Sequence, residues 1–457
     1  MNKILLFFLL ACTSFVFSQN KQVLYGFDKI PQGLLLNPGA ETDYKYHVGV
    51  PVLSGISMSV NTSGFTVADL FRDDNIDFTT KFNNVVSNLG SNDYAYINSQ
   101  IEVINAGYQL NKKDYISVGY YTEVDAFLKI PKEFIELIKD GNAPFVNRSF
   151  LFSDLAMKAD VLGVIHAGIT RKFNDKFIAG ARLKIYSGAL NVTSTGNRGS
   201  FTTRLGRTTL YEHSLNNVNV NGYTSGLYNE NEEFDLQSSD ITGNIFLGSN
   251  LGLGFDLGFT YVVDDQTELS ASLLDVGFIS YSNKVRNGTV AGNYIFSGID
   301  FRFDNTNPDY WQELNDEIND RIPRSENTES YSVMRPLKLN LAGKYSFGKS
   351  RREESCSDMS FNDYYNNTVG GQLFSVLTPI GPRFALTGFY ERKFSKRFNT
   401  KITYTVDDFS NSNIGLGISA NVWKLNIYTA VDNVFQLTDV AAANSASFQF
   451  GINFVSK

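Results

Sequence analysis

The last stretch of the chain, Ser447-Phe448-Gln449-Phe450-Gly451-Ile452-Asn453-Phe454-Val455, alternates between large apolar side chains and small or uncharged polar ones. Successive side chains of an extended strand leave opposite faces. Phe448, Phe450, Ile452 and Phe454 therefore share one surface, and Ser447, Gln449, Gly451 and Asn453 share the other. About nine to eleven residues of this pattern carry a tilted strand across a bilayer, with lipid on one face and a lumen on the other. The pattern recurs in fourteen segments, near 46–61, 99–110, 115–129, 157–173, 177–193, 252–263, 267–279, 335–347, 366–377, 383–394, 398–408, 413–421, 423–433 and 446–455. In one, Phe255, Leu257, Phe259, Tyr261 and Val263 oppose Asp256, Gly258, Thr260 and Asp264; in others Leu337, Leu339 and Leu341 oppose Lys338, Asn340 and Lys344. Likewise Trp423, Leu425 and Ile427 oppose Lys424, Asn426 and Asp432, and Ile414, Leu416 and Ile418 oppose Gly415, Gly417 and Ser419. The expected fold class is all-β: a closed antiparallel transmembrane β-barrel of about 14 strands, with an N-terminal plug segment and long extracellular loops.

A mean hydropathy of −0.17, 14% aromatic residues, 37 Gly and 24 Tyr suit a barrel better than a bundle of membrane helices. A large β-sandwich has similar composition and also alternates, so the connections decide. Short ones lie at 111–114, 174–175, 264–266, 395–397 and 422, most with polar turn chemistry. Long ones fill about 62–98, 130–156, 194–251 and 280–334. Placing the short turns in the periplasm puts all four long connections outside, as in outer-membrane barrels, and starts the mature chain in the periplasm. The connection 348–365, with Arg351-Arg352-Glu353-Glu354 and Cys356, is long yet periplasmic on this count. It is either a miscounted strand or a periplasmic excursion.

Met1 to Ser18 reads as a signal peptide, with Lys3 before an apolar run from Ile4 to Ala11 and Val16-Phe17-Ser18 before Gln19. Leu9-Leu10-Ala11-Cys12 is the rival, a lipobox that would lipidate Cys12, whereas apolar residues running on through Phe15-Val16-Phe17 favour the ordinary signal. The division expected is 1–18 signal peptide, 19–45 periplasmic or lumenal plug segment, and 46–457 barrel in the cell outer membrane. With Cys12 removed, Cys356 is alone and no internal disulfide forms. A net charge of −7 without a basic block argues against nucleic acid as a partner.

His47, His166 and His213 stand at no metal-ligand spacing, and no catalytic order or phosphate loop stands out, so no enzyme activity, cofactor or metal is expected. Asp73-Asp74-Asn75-Ile76-Asp77 begins like a calcium loop but lacks its Gly and final Glu, which fits a solvated external loop. Helices are expected at 131–139, behind Pro131 and before Gly141, and at 310–322, where Trp311, Leu314, Ile318 and Ile322 share a face. Each packs on the barrel rim or, alternatively, gates it or docks a partner. Inward positions carry both signs: Arg182, Lys184, Asp256, Lys338, Lys344, Arg383, Glu391, Lys401, Asp407, Lys424 and Asp432. Mixed charge favours a lumen closed by ion pairs over a selective pore, which usually shows one sign; a polar conduit is the alternative. Gln22 to Ala40 is too irregular for a strand and too apolar for a solvated tail. It is expected to plug the lumen, burying Leu34, Leu35 and Leu36, with Asn37 next and Pro38 fixing the bend before the first strand.

Leu36-Asn37-Pro38-Gly39-Ala40, followed by Val48-Gly49-Val50-Pro51-Val52, resembles the opening of an uncharacterised family of Bacteroidota-type outer-membrane barrels catalogued as a domain of unknown function. Gly180-Ala181-Arg182-Leu183-Lys184, Leu274-Asp275-Val276-Gly277-Phe278-Ile279 and Asp432-Asn433 resemble it too. More distantly the opening is similar to FadL-like, PorV and PorP/SprF barrels, although Gly39 separates Pro38 from Ala40. The resemblance implies a 14-stranded barrel with an N-terminal hatch and carries over no functional residue. From the secretion-linked relatives and the long polar loops, the expected function is a structural or accessory barrel that binds an envelope or secretion partner. The alternative is a FadL-like passage for small hydrophobic ligands. Outer-membrane lipid is expected around the barrel in either case.

Overall fold

The computed structural model describes residues 21–27, 29–207, 210–228, 238–296, 324–349, 365–410 and 413–456. The signal peptide, the helix expected at 310–322 and Cys356 with its charged neighbours lie outside the described residues.

The chain begins its wall with β1 (Tyr46–Gly49) and β2 (Ile56–Thr62), two halves of one interrupted strand. β3 (Ala95–Gln109) and β4 (Asp114–Lys129) follow, then a short β5 (Ser149–Leu151) in a connection, then β6 (Ala156–Lys172) and β7 (Phe177–Ser194). β8 (Arg198–Leu205) and β9 (Tyr211–Ser225) leave the wall, and β10 (Leu251–Val262) and β11 (Thr267–Tyr281) return to it. β12 (Val285–Phe296) and β13 (Arg324–Asn327) leave again, whereas β14 (Tyr331–Met334) and β15 (Lys338–Lys349) pair in succession with β11. β16 (Tyr365–Thr378), β17 (Gly381–Ser395), β18 (Phe398–Val406), β19 (Asn413–Val422), β20 (Leu425–Asp432) and β21 (Ser445–Ser456) complete the wall. Counting each interrupted pair once gives fourteen antiparallel strands, and β21 closes the sheet on β1 and β2. Closure leaves no exposed edge, which a wall in hydrocarbon requires.

Alternation has the expected sense. Phe255, Leu257, Phe259 and Tyr261 are exposed on the outside, while Asp256 and Thr260 are buried inside. Phe448 and Phe454 point out, and Gln449 and Asn453 point in. At the short-turn end the outer face ends in aromatics: Phe173, Tyr261, Tyr345, Phe394, Phe398 and Trp423 are all exposed. Aromatic rings prefer this depth, where lipid chains meet head groups.

The long connections are less open than alternation alone suggests. β5, β8, β9, β12 and β13 pair in that order into a sheet that continues from the loop end of β7. Helices α1 (Gly33–Leu36), α2 (Val67–Phe71), α3 (Phe78–Asn88), α4 (Lys132–Asp140) and α5 (Ser238–Asn244) occupy the N-terminal segment and the loops. α4 has Pro131 at its N-cap and Gly141 at φ 71° at its C-cap, where a residue without Cβ takes the left-handed turn freely. The Asp73–Asp77 run is occupied locally: Asp74 pairs with Lys81 at 2.7 Å, and Asp77 caps α3 by accepting from Thr80 N.

Candidate functional site in the lumen

Residues 21–27 and 29–40 lie against inward-facing wall residues. Leu24, Phe27 and Ile30 pack with Tyr428. Wall glycines leave the room: a Cβ on Gly417 would stand 2.7 Å from Val23. The Leu36–Ala40 stretch rests on β7 and β10, where a Cβ on Gly180 would lie 1.9 Å from the Pro38 carbonyl and one on Gly258 2.1 Å from Asn37 Oδ1. Hydrogen bonds hold it there. Arg182 Nη2 donates to the Leu34 carbonyl at 2.7 Å, Ser272 Oγ to Leu36 at 2.6 Å, and Thr170 Oγ1 to Pro38 at 2.6 Å. Asn37 Nδ2 donates to Phe259 O at 3.3 Å, and its Oδ1 accepts from Gly39 N at 2.9 Å. Asn37, Pro38 and Leu34 are buried, while Leu35 and Leu36 are half-buried because they border small internal voids. Gln32 reaches across to Glu102, Ser54 O and Asn453.

Beside this segment runs a buried layer of alternating charge. Arg182 and Lys184 lie 3.3 and 2.9 Å from Asp256, and Lys184 is 2.6 Å from Asp275. Asp275 also meets Lys338 at 2.9 Å; Lys338 is 3.9 Å from Glu123, and Glu123 is 3.0 Å from Arg335. Asp160 stands 3.5 Å from Arg335 and accepts from Tyr281 and Asn191. Buried charges are tolerated only when paired and hydrogen-bonded, and here acids and bases interleave.

Arg182, Lys184, Asp256 and Lys338 thus come together in one layer. Asp432 is buried apart from it and accepts from the Ser447 hydroxyl. Arg383 lies nearer the loop end, 3.6 Å from Asp408 and over the Tyr94 ring. Lys424 departs from its expected inward position. It is exposed in the two-residue turn Trp423-Lys424, where Trp423 takes φ 58°, so strand alternation stops before it. Lys344 pairs with Glu268 at 2.9 Å. His47 is buried 2.6 Å from the Tyr115 hydroxyl and 3.1 Å from Asn105 Oδ1; His166 is buried too, and His213 sits in the outer sheet beside Thr203.

Five members of the buried charge cluster escaped sequence reasoning. Glu123, Asp125 and Asp160 have inward parity on strands that were recognised, so alternation could have found them. Asp275 could not be found that way. A bulge sets Leu274 and Asp275 against Asp256 alone, turning both inward, with Asp275 at φ 60° and its N–H donating to Asp256 Oδ1 at 2.8 Å. Arg335 sits in the break between β14 and β15, where parity has no meaning.

Between this layer and the loop end lies a cavity of about 440 Å³. Tyr96, Phe127, Tyr223, Tyr331, Val333 and Met334 form much of its wall; Thr193, Thr195 and Thr378 add hydroxyls, and Asp125, Lys158 and Arg335 add charge. Tyr331 is fixed by rings at 5.1 and 5.3 Å (Tyr223 and Tyr281) and donates to Asn191 at 2.8 Å. Asp125 is satisfied by Tyr96 at 2.6 Å and Asn98 at 3.0 Å, and Lys158 donates to Met334 O at 2.5 Å. Arg335 differs from them. Its Nε and both Nη atoms are buried without an acceptor in hydrogen-bonding geometry, so Glu123, though 3.0 Å away, lies off the N–H axes.

Solved structures similar to this chain include the toluene transporter TbuX of Ralstonia pickettii, at 9% identity and TM-score 0.42 over 98% of this chain and 100% of that one. The toluene transporter TodX of Pseudomonas putida matches at 10% identity and TM-score 0.39, over 96% and 98%. A FadL homologue of Pseudomonas aeruginosa matches at 9% identity and TM-score 0.45, over 95% and 96%. Such loose overlap says nothing about what this lumen carries. No curated protein matches the chain. The model of a family of unknown function, DUF5723, matches residues 38–432, from the Asn37-Pro38 bend to the end of β20, and the chain belongs to that family.

Proposed function

We propose that this protein is an outer-membrane barrel that takes up a small, mostly apolar molecule at its loop end, with residues 21–40 as the plug. The cavity of about 440 Å³ carries this reading, because aromatic walls with a few convergent polar groups are the usual make-up of a small-molecule site. The apolar outer band and the aromatic rim at the short-turn end support membrane insertion, with the short turns in the periplasm and the cavity facing outward. The accessory-partner reading drew on long polar loops such as 194–251. Much of that loop length is β8 and β9, and with it Thr195 and Tyr223 supply cavity wall, so its length serves the cavity without a second protein.

The test is ligand-observed NMR on the purified barrel with a set of small monoaromatic hydrocarbons, alcohols and ketones, repeated on Thr195→Trp. Binding by several members, lost when the indole fills the cavity, is the expected result. No binding by any member, or binding that Thr195→Trp leaves unchanged, would overturn it.

A further inference from the structure

Seven side chains join the cavity to the N-terminal segment with strictly alternating sign. From the cavity inward they are Arg335, Glu123, Lys338, Asp275, Lys184, Asp256 and Arg182, at successive separations of 3.0, 3.9, 2.9, 2.6, 2.9 and 3.3 Å. The last member grips the Leu34 carbonyl at 2.7 Å. Every member is buried. In such a setting charges are weakly screened, and moving one member leaves its neighbour short of a partner. The two ends differ in one respect. Arg182 spends a donor on the segment and lacks an acceptor only at Nε, whereas Arg335 borders the cavity with all three donor atoms out of hydrogen-bonding geometry with Glu123 and Asp160.

We propose that Arg335 reads an acceptor oxygen on the cavity's occupant and that the charge chain carries this to Arg182, loosening its hold on the segment. The proposal rests on the reading of the cavity as a ligand site and deepens it. An oxygen in line with an Arg335 N–H draws the guanidinium off Glu123. Glu123 then leans on Lys338, Lys338 shares Asp275 less, and Lys184 turns toward Asp275. Asp256 is left to Arg182 alone, which closes on it and gives up the Leu34 carbonyl. The occupant is accordingly an apolar body with one hydrogen-bond acceptor, such as an alcohol, ketone or acid, rather than a bare hydrocarbon.

Two measurements test this. In the full mature barrel, with Leu35→Cys as reporter in a Cys356→Ser background, a soluble thiol reagent reads how freely the segment moves. Arg182→Gln, at the latch, should speed labelling about tenfold; Arg335→Gln, which touches no segment residue, should speed it several-fold; and the double variant should be no faster than Arg182→Gln alone by more than about twofold. An unchanged rate in Arg335→Gln, or effects that simply multiply, would overturn the chain. Should Arg335→Gln not yield a heat-modifiable folded band, Arg335→Met, which also removes the charge beside Glu123, takes its place, and an unchanged rate there counts equally against the chain. In the second measurement Arg335→Gln should weaken acetophenone more than ethylbenzene, and equal loss would overturn Arg335 as the reader. If the cavity binds nothing, the NMR shows it while the labelling cycle still reports on the chain, so the two failures are distinguishable.

Discussion

Adding one methyl group at Gly258 or Gly180 tests how firmly residues 33–39 are seated. Alanine at Gly258 would place a Cβ 2.1 Å from Asn37 Oδ1 and 2.9 Å from Pro38 Cδ; alanine at Gly180 would place one 1.9 Å from the Pro38 carbonyl. Overpacking of this kind costs roughly 1–3 kcal/mol per site. Opposing it are three neutral hydrogen bonds, from Ser272, Thr170 and Asn37, and one charged bond from Arg182. At about 1 kcal/mol for each neutral bond and 1.5–3 for the charged one, the grip is roughly 5 kcal/mol. A single alanine therefore strains the segment without releasing it, whereas both together, at roughly 2–6 kcal/mol, match the grip. Both methyl groups point into the lumen, so the lipid face is untouched. Labelling of Leu35→Cys and conductance in planar bilayers read the outcome. Each single variant should stay closed, and the double variant should label markedly faster and show intermittent openings. If one alanine opened the barrel as fully as deletion of 22–40, the hydrogen-bond grip would be far weaker than argued. A double variant as protected as the parent would show that the segment does not rest on these glycines.

On the outer face, Leu257→Arg or Phe259→Arg should cost roughly 2–4 kcal/mol near the bilayer midplane, measured by reversible denaturant unfolding in lipid vesicles. Phe435→Arg, at an exposed loop position, should cost little; equal losses at the three sites would refute the membrane facing. Acidity gives a further check. Burial, aided by the Asp432 and Asp408 charges, pushes the Asp407 carboxyl up to about 7 against backbone donors from Ser410 and Phe409 that pull it down. Burial likewise lifts Asp408, which accepts from the Tyr94 hydroxyl, to about 6. Both folded values lie above the unfolded one, so between about pH 4 and 7 the folded barrel binds more protons and loses stability as pH rises. Thermal midpoints should fall from pH 5 to pH 8, and Asp407→Asn should flatten the slope; a rise over that range would contradict the assignment.

The wall was legible because its physics is local. Leu251 to Val262, or Ser445 to Ser456, alternate for a full crossing, and each of the fourteen expected segments corresponds to one strand or one interrupted pair. The outer sheet was not legible. β8, β9 and β12 are rich in Asn, Thr, Ser and Gly, and their two faces differ little in burial, so period two leaves little mark. The lumen was legible in sign but not in density. A polar inner face suggests that Thr260 and Asn340 tolerate change, yet both are buried, Thr260 near the Asn37–Gly39 bend and Asn340 between Ser272 and Gln372. Arginine at either would be as badly placed as on the lipid face, for a steric reason and not an electrostatic one.

Regularity finds the wall, and departures from it find the site. The first strand breaks between Gly49 and Gly55, where a Cβ on Gly49 would collide with Ser54 and Val52 takes φ 66°; opposite the break, β3 bulges and Glu102 turns in to meet Gln32. The bulge between β10 and β11 turns Asp275 in. At the break between β14 and β15 the Arg335 N–H still donates to Gly277 O of β11 at 2.9 Å, while its side chain borders the cavity. Each interruption gives up ladder hydrogen bonds in a wall where backbone groups have no water to replace them, so each needs compensation from the lumen side. Glu102 finds it in Gln32 and Asn105, and Asp275 in Lys184 and Lys338. Arg335 keeps all three of its donor atoms out of hydrogen-bonding geometry, although Glu123 and Asp160 stand 3.0 and 3.5 Å away. Glu123, Asp160 and the Tyr186 ring, 5.6 Å from its guanidinium carbon, balance its charge, and the in-line acceptor that its N–H groups lack is the place the proposed occupant would fill.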